Sequence, residues 1–124
     1  MPTNSLLQNK ICVLIPTYNN HKTLKRVLDG VLEYTQNVIV VNDGSTDTTS
    51  TILSEYSQIT LIHFSENKGK GKALQAGFKK ALALGYDYAI TIDSDGQHYP
   101  QDLPFFFNEI EKATSPVLLI GSRN

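Results

Sequence analysis

Two carboxylates, Asp93 and Asp95, follow directly on the apolar, β-prone run from Tyr88 to Ile92 and precede Gly96, Gln97 and His98. In extended backbone alternate side chains share a face, so both carboxylates would point the same way. Hard oxygens placed like that suit Mg²⁺ or Mn²⁺ beside a substrate diphosphate. Asp, Ser and Gly also build ordinary turns, so this string alone equally fits a polar turn after a strand. Three more polar strings close apolar runs: Pro16-Thr17-Tyr18-Asn19, Asn42-Asp43-Gly44-Ser45 and Asn67-Lys68-Gly69-Lys70. Tyr18 carries a ring that can lie against a base. Asp43 can accept hydrogen bonds from a base or ribose, as an acidic residue ending a strand does in dinucleotide folds. Ser45 and Thr46 fit a turn and helix cap better. The stretch from Asn67 to Gly71 puts flexible backbone and positive charge before a helix, which favours anions, but it lacks the full Gly-x-x-x-x-Gly-Lys-Ser/Thr pattern.

The elements that must position these groups alternate in type. Ile11 to Ile15 and Val38 to Val41 are continuous apolar runs, as in parallel strands covered on both faces; Ile59 to Phe64, Tyr88 to Ile92 and Val117 to Ile120 supply three more strands. Between them, Leu24, Val27, Leu28, Val31 and Leu32 recur at helical spacing behind a cap at Asn19 or Asn20. A short helix is expected to about Tyr56. Another carries Ala73, Leu74, Ala76, Gly77, Ala81, Leu82 and Leu84 and closes at Gly85, and Pro100 opens a last one running to about Thr114. Strand–helix alternation predicts an α/β fold, a mostly parallel, doubly wound sheet with helices on both faces. Ligands of such sheets bind beyond the strands' carboxyl ends, and all four polar strings lie there.

Composition narrows the function classes. A chain of 124 residues, 40% hydrophobic and 19% charged, fits one soluble domain. The net charge of -1 without a basic block disfavours a nucleic-acid partner. Cys12, the single cysteine, sits in an apolar run and reads as core in a reducing, cytoplasmic setting. Residues 1–9 lack a signal-peptide pattern, and no apolar run approaches the ~20 residues of a membrane-spanning helix. His21 and His63 read as capping or surface residues, Lys79 and Lys80 as a solvated face, and Tyr34, Phe105, Phe106 and Phe107 as packing.

Taken together, Ile15-Pro16-Thr17-Tyr18-Asn19, Val40-Val41-Asn42-Asp43-Gly44-Ser45-Thr46-Asp47, Asn67-Lys68-Gly69-Lys70-Gly71, Asp93-Ser94-Asp95-Gly96-Gln97-His98 and Gly121-Ser122-Arg123 resemble the donor-binding part of inverting family-two glycosyltransferases of the GT-A fold. The Gln97-His98 pair is most similar to the dolichyl-phosphate mannosyltransferase and polyprenyl-phosphate glycosyltransferase branch, although Asn20 stands where many members carry Glu. The resemblance implies a nucleoside-diphosphate sugar, with a GDP or UDP carrier, contacted by Pro16, Tyr18, Asp43, Asp93, Ser94, Asp95 and Arg123. It implies Mg²⁺ or Mn²⁺ on Asp93, Asp95 and Gln97, and a lipid-phosphate acceptor used in cell-envelope glycan synthesis. The expected general base lies beyond Asn124, making residues 1–124 one nucleotide-sugar-binding domain of a longer enzyme, peripheral at the membrane. Two alternatives stand beside it. Asp93-Ser94-Asp95-Gly96-Gln97 partly copies the nucleophile motif of haloacid-dehalogenase-type phosphatases, with Gln97 in place of Thr, and a non-catalytic nucleotide-binding module also fits.

Overall fold

The computed structural model describes residues 10–95, 103–105, 108 and 118–120. Five strands, β1 (Ile11–Thr17), β2 (Val38–Asp43), β3 (Thr60–Phe64), β4 (Tyr88–Thr91) and β5 (Leu118–Ile120), alternate with helices α1 (Leu24–Leu32), α2 (Thr49–Ser54) and α3 (Lys70–Ala83). The sheet order is β3-β2-β1-β4-β5, and every pairing is parallel. The chain builds outward from β1 to β3, then crosses to the other side of β1 for β4. That reversal makes the β1/β4 boundary the switch point of the sheet, where parallel α/β folds open a crevice.

Strand alternation divides β1 between two cores. Ile11, Val13 and Ile15 join Val38, Val40 and Ile90 under α1 and α2, which contribute Leu24, Val27, Leu28, Val31 and Leu53. Cys12 and Leu14 face the opposite layer with Ile39, Val41, Ala73 and Ala81. Each fully buried Leu, Ile or Val contributes about 1.5–3 kcal/mol relative to exposure, which explains why uninterrupted apolar runs become central strands. Burial pushes the Cys12 thiol up to about 12, against a smaller lowering by a backbone hydrogen bond.

Three local expectations change. Helix α1 starts at Leu24 with Thr23 in the capping position; the Asn20 carbonyl, not an asparagine side chain, accepts the Thr23 and Leu24 N–H groups. Helix α2 stops at Ser54 instead of Tyr56. In α3 the stripe Ala73, Gly77 and Ala81 is buried, while Leu82 and Leu84, counted on the apolar face, are 75% and 48% exposed. Small residues win because the helix lies so close to β1 that a Cβ on Gly77 would stand 2.3 Å from Leu14 Cδ1. Gly85 ends α3 as expected, with a positive φ of 88° and paired bonds from Tyr86 N–H to the Ala81 carbonyl and Gly85 N–H to that of Leu82. Residues 103–105 and 108 are helical, as is expected after Pro100, and Leu103 is buried while Phe105 is exposed.

Candidate functional site

Registers of unequal length open the site. β4 pairs with β1 only as far as Leu14↔Thr91, whereas β1 and β2 run on together to Thr17↔Asn42. Past Ile92 the chain leaves the sheet, so Asp93, Ser94 and Asp95 form a turn instead of an extension of the strand. The turn still places both carboxylates on one cavity, because Ser94 between them points inward. Ser94 is 1% exposed; its hydroxyl lies 2.7 Å from Asn20 Oδ1 and 3.3 Å from the Pro16 carbonyl, the nearer oxygen taking the proton. Thr23 Oγ1 donates to the Ser94 carbonyl at 2.5 Å. The loop after β1 therefore holds the acidic turn by both its side chain and its backbone.

A second set of bonds ties that loop to the one after β2. Asn19 adopts a left-handed φ of 54°, which Asn tolerates better than most residues. Its Oδ1 accepts the Thr46 N–H at 2.7 Å and that of Asp47 at 3.2 Å, while its own N–H donates to Ser45 Oγ at 3.0 Å. His21 Nδ1 stands 2.7 Å from Asp47 Oδ2. Desolvation works to raise the Asp47 carboxyl, but hydrogen bonds from Thr49 and His21 outweigh it and hold the group down to about 2.

Asp43 anchors the third loop. Its carboxylate accepts the Lys68 N–H at 2.7 Å, the Gly69 N–H at 3.0 Å and the Asn67 side-chain amide at 3.0 Å. Gly44 lets the loop come this near: at a φ of +72° it has no Cβ, and one would meet Asn67 N and Glu66 C at 2.3 Å. The loop delivers Lys70, whose ammonium sits 2.7 Å from Asp93 Oδ1.

These loops enclose a cavity of about 410 Å³, lined by Pro16, Thr17, Tyr18, Asn20, Asp43, Asn67, Gly69, Lys70, Ala73, Asp93, Ser94 and Asp95. Six residues expected at the donor site, Pro16, Tyr18, Asp43, Asp93, Ser94 and Asp95, converge there. Gln97, His98 and Arg123 lie outside the described residues, as do Phe106 and Phe107. Sequence reasoning missed the connecting work of Asn19 and Asn20 and the pairing of Lys70 with Asp93. Among the described residues no three His, Cys, Asp or Glu side chains form a metal cage, and three loop hydrogen bonds take up most of the acceptor capacity of Asp43. Asp93, which pairs with Lys70, and Asp95 put hard carboxylate oxygens on the cavity wall, a donor type that fits Mg²⁺ or Mn²⁺ once further oxygens complete the coordination.

The family model for glycosyl transferase family 2 matches residues 12–121. The chain belongs to that family. It is similar to the UDP-N-acetylglucosamine–dolichyl-phosphate N-acetylglucosaminyltransferase of Methanococcus voltae, at 34% identity over 91% of this chain and 51% of the relative. An undecaprenyl-phosphate mannosyltransferase of Micrococcus luteus is 36% identical over 92% of this chain and 48% of its own length. An uncharacterized protein of Methanocaldococcus jannaschii is 38% identical over 79% and 45%. The chain thus spans about half the length of the curated relatives it matches. Family 2 membership leaves the phosphatase alternative without support. No described helix is long and apolar enough to cross a membrane.

Proposed function

We propose that this family 2 chain binds the donor in a glycosyltransferase, taking a nucleoside-diphosphate sugar with Mg²⁺ or Mn²⁺ for transfer to a polyprenyl-phosphate acceptor, with the full-length protein at the membrane surface. The observation that carries this reading is the convergence of Tyr18, Asp43, Asp93 and Asp95 on one cavity at the sheet's switch point. Pro16 and Tyr18 would flank the nucleoside, and Asp43 would offer it the carboxylate lone pair left by its loop bonds. Asp93 and Asp95 would hold the metal, which when bound neutralises charge on the departing diphosphate. Gln97 and Arg123 complete this proposal as metal ligand and diphosphate contact. The acceptor class follows the printed activities of the relatives.

Calorimetric titration of the chain with UDP and GDP tests the donor assignment. One of the two should bind with Mn²⁺ present and lose its affinity in EDTA, and Asp95→Asn should remove most of that metal dependence. Equal affinity in EDTA, or an unchanged metal response in the variant, refutes the metal assignment.

A further inference from the structure

Lys70 opens α3 and is the one basic side chain lining the cavity among the described residues. The neighbouring lysines turn elsewhere: Lys68 Nζ, in the loop, sits 4.9 Å from the centroid of the Phe64 ring, and Lys72, in the first turn of α3, lines an open cleft with Leu74 and Phe78. The ammonium of Lys70 lies 2.7 Å from Asp93 Oδ1 although the Lys70 side chain is 61% exposed. A flexible four-carbon stem ending in a point charge can change partners without moving backbone. The oxygen that Lys70 contacts belongs to one of the two carboxylates that the donor reading assigns to a divalent cation.

We propose that Lys70 is a resident counter-cation which a divalent metal must displace from Asp93, so that metal and nucleoside diphosphate enter the cavity cooperatively. This rests on the donor reading above and adds an ordering rule to it. A metal arriving alone breaks the ion pair and then faces an adjacent ammonium of like charge. A metal arriving with a diphosphate meets no such opposition, because the phosphate oxygens take the displaced ammonium as a new partner. Linkage makes the effect reciprocal: whatever Lys70 costs the lone metal reappears as coupling between metal and nucleotide.

Mn²⁺ titrations followed by electron paramagnetic resonance, with and without UDP or GDP, test this on the wild-type chain, Lys70→Met, Lys70→Arg and Lys72→Met. Lys70→Met should bind Mn²⁺ alone about fivefold more tightly, the factor that corresponds to ~1 kcal/mol for a solvent-accessible ion pair. The tightening of Mn²⁺ produced by nucleotide should shrink by a similar factor. Lys70→Arg and Lys72→Met should behave like wild type, and all four should share one melting profile. Unchanged Mn²⁺ affinity in Lys70→Met, or equal tightening in Lys72→Met, overturns the role of Lys70 while metal-dependent nucleotide binding by wild type leaves the donor reading standing. Wild-type nucleotide binding that is indifferent to EDTA overturns both.

Discussion

Replacing Asp43 separates two jobs that one carboxylate holds in this fold. The side chain accepts hydrogen bonds from Lys68, Gly69 and Asn67, and hydrogen bonds to charged groups are worth about 1.5–3 kcal/mol each. The three do not simply add, because Lys68 is exposed and its freed N–H regains water. Gly69 is half-buried, and its N–H is less easily rehydrated. Asp43→Ala should therefore destabilise the chain by about 2–4 kcal/mol, a fall in Tm of about 8–16 °C for a domain of this size. Asp43→Asn keeps one oxygen for Lys68 and turns an amide toward Gly69, so about half that loss is expected. Hydrogen exchange at the Lys68 and Gly69 amides is the decisive assay, with both losing protection in Asp43→Ala. If the variant melts with wild type and those amides exchange at the wild-type rate, the carboxylate does not anchor the loop. Affinity for UDP or GDP, measured well below the melting transition, should fall separately by about 1.5–3 kcal/mol if the same carboxylate also meets the nucleoside. Free nucleoside should weaken in parallel.

Asp47 should make stability depend on acid. Its folded pKa of about 2 lies below the ordinary 3.8, so the stabilisation is whole above 3.8 and is lost as pH falls through about 2. Asp47→Asn should melt earlier than wild type at neutral pH, and the gap should close in that acidic window; a gap constant with pH refutes the assignment. Cys12, pushed up to about 12 by burial, should resist a thiol reagent at neutral pH in the folded chain and react at once in denaturant. Rapid labelling of the native protein would show that the thiol is accessible.

The sheet was legible because β1 and β2 are buried on both faces, which demands unbroken apolar runs that no helix of that length would need. The position of the cavity followed from topology, since every polar string comes after a parallel strand. What escaped were bonds between residues far apart in the chain. Asn19 and Asn20 satisfy the local rule for helix caps, yet their side chains are taken by Thr46, Asp47 and Ser94, which only folding brings near. The Lys70–Asp93 pair escaped for the same reason. Leu82 and Leu84 misled because periodicity ranks residues by hydropathy, whereas α3 is seated by the absence of side-chain bulk at Gly77. The acidic turn was anticipated in composition but not in shape: alternation along a strand was expected to align Asp93 and Asp95, and a turn around buried Ser94 does so instead.

That seating has a mechanical meaning for the cavity. Gly77 touches Leu14 two turns along the helix from Lys70, roughly 10 Å away at 1.5 Å per residue. The helix bears on the sheet along Ala73, Gly77 and Ala81, so the shallowness of that stripe sets how close the backbone carrying Lys70 can come to the strands. One methyl group added at Gly77 would press on the Leu14 side chain, so that side chain must turn or the helix, with Ala73 and Lys70 on the cavity wall, must back away. A missing side chain thereby decides how closely one wall of the cavity stands against the strands.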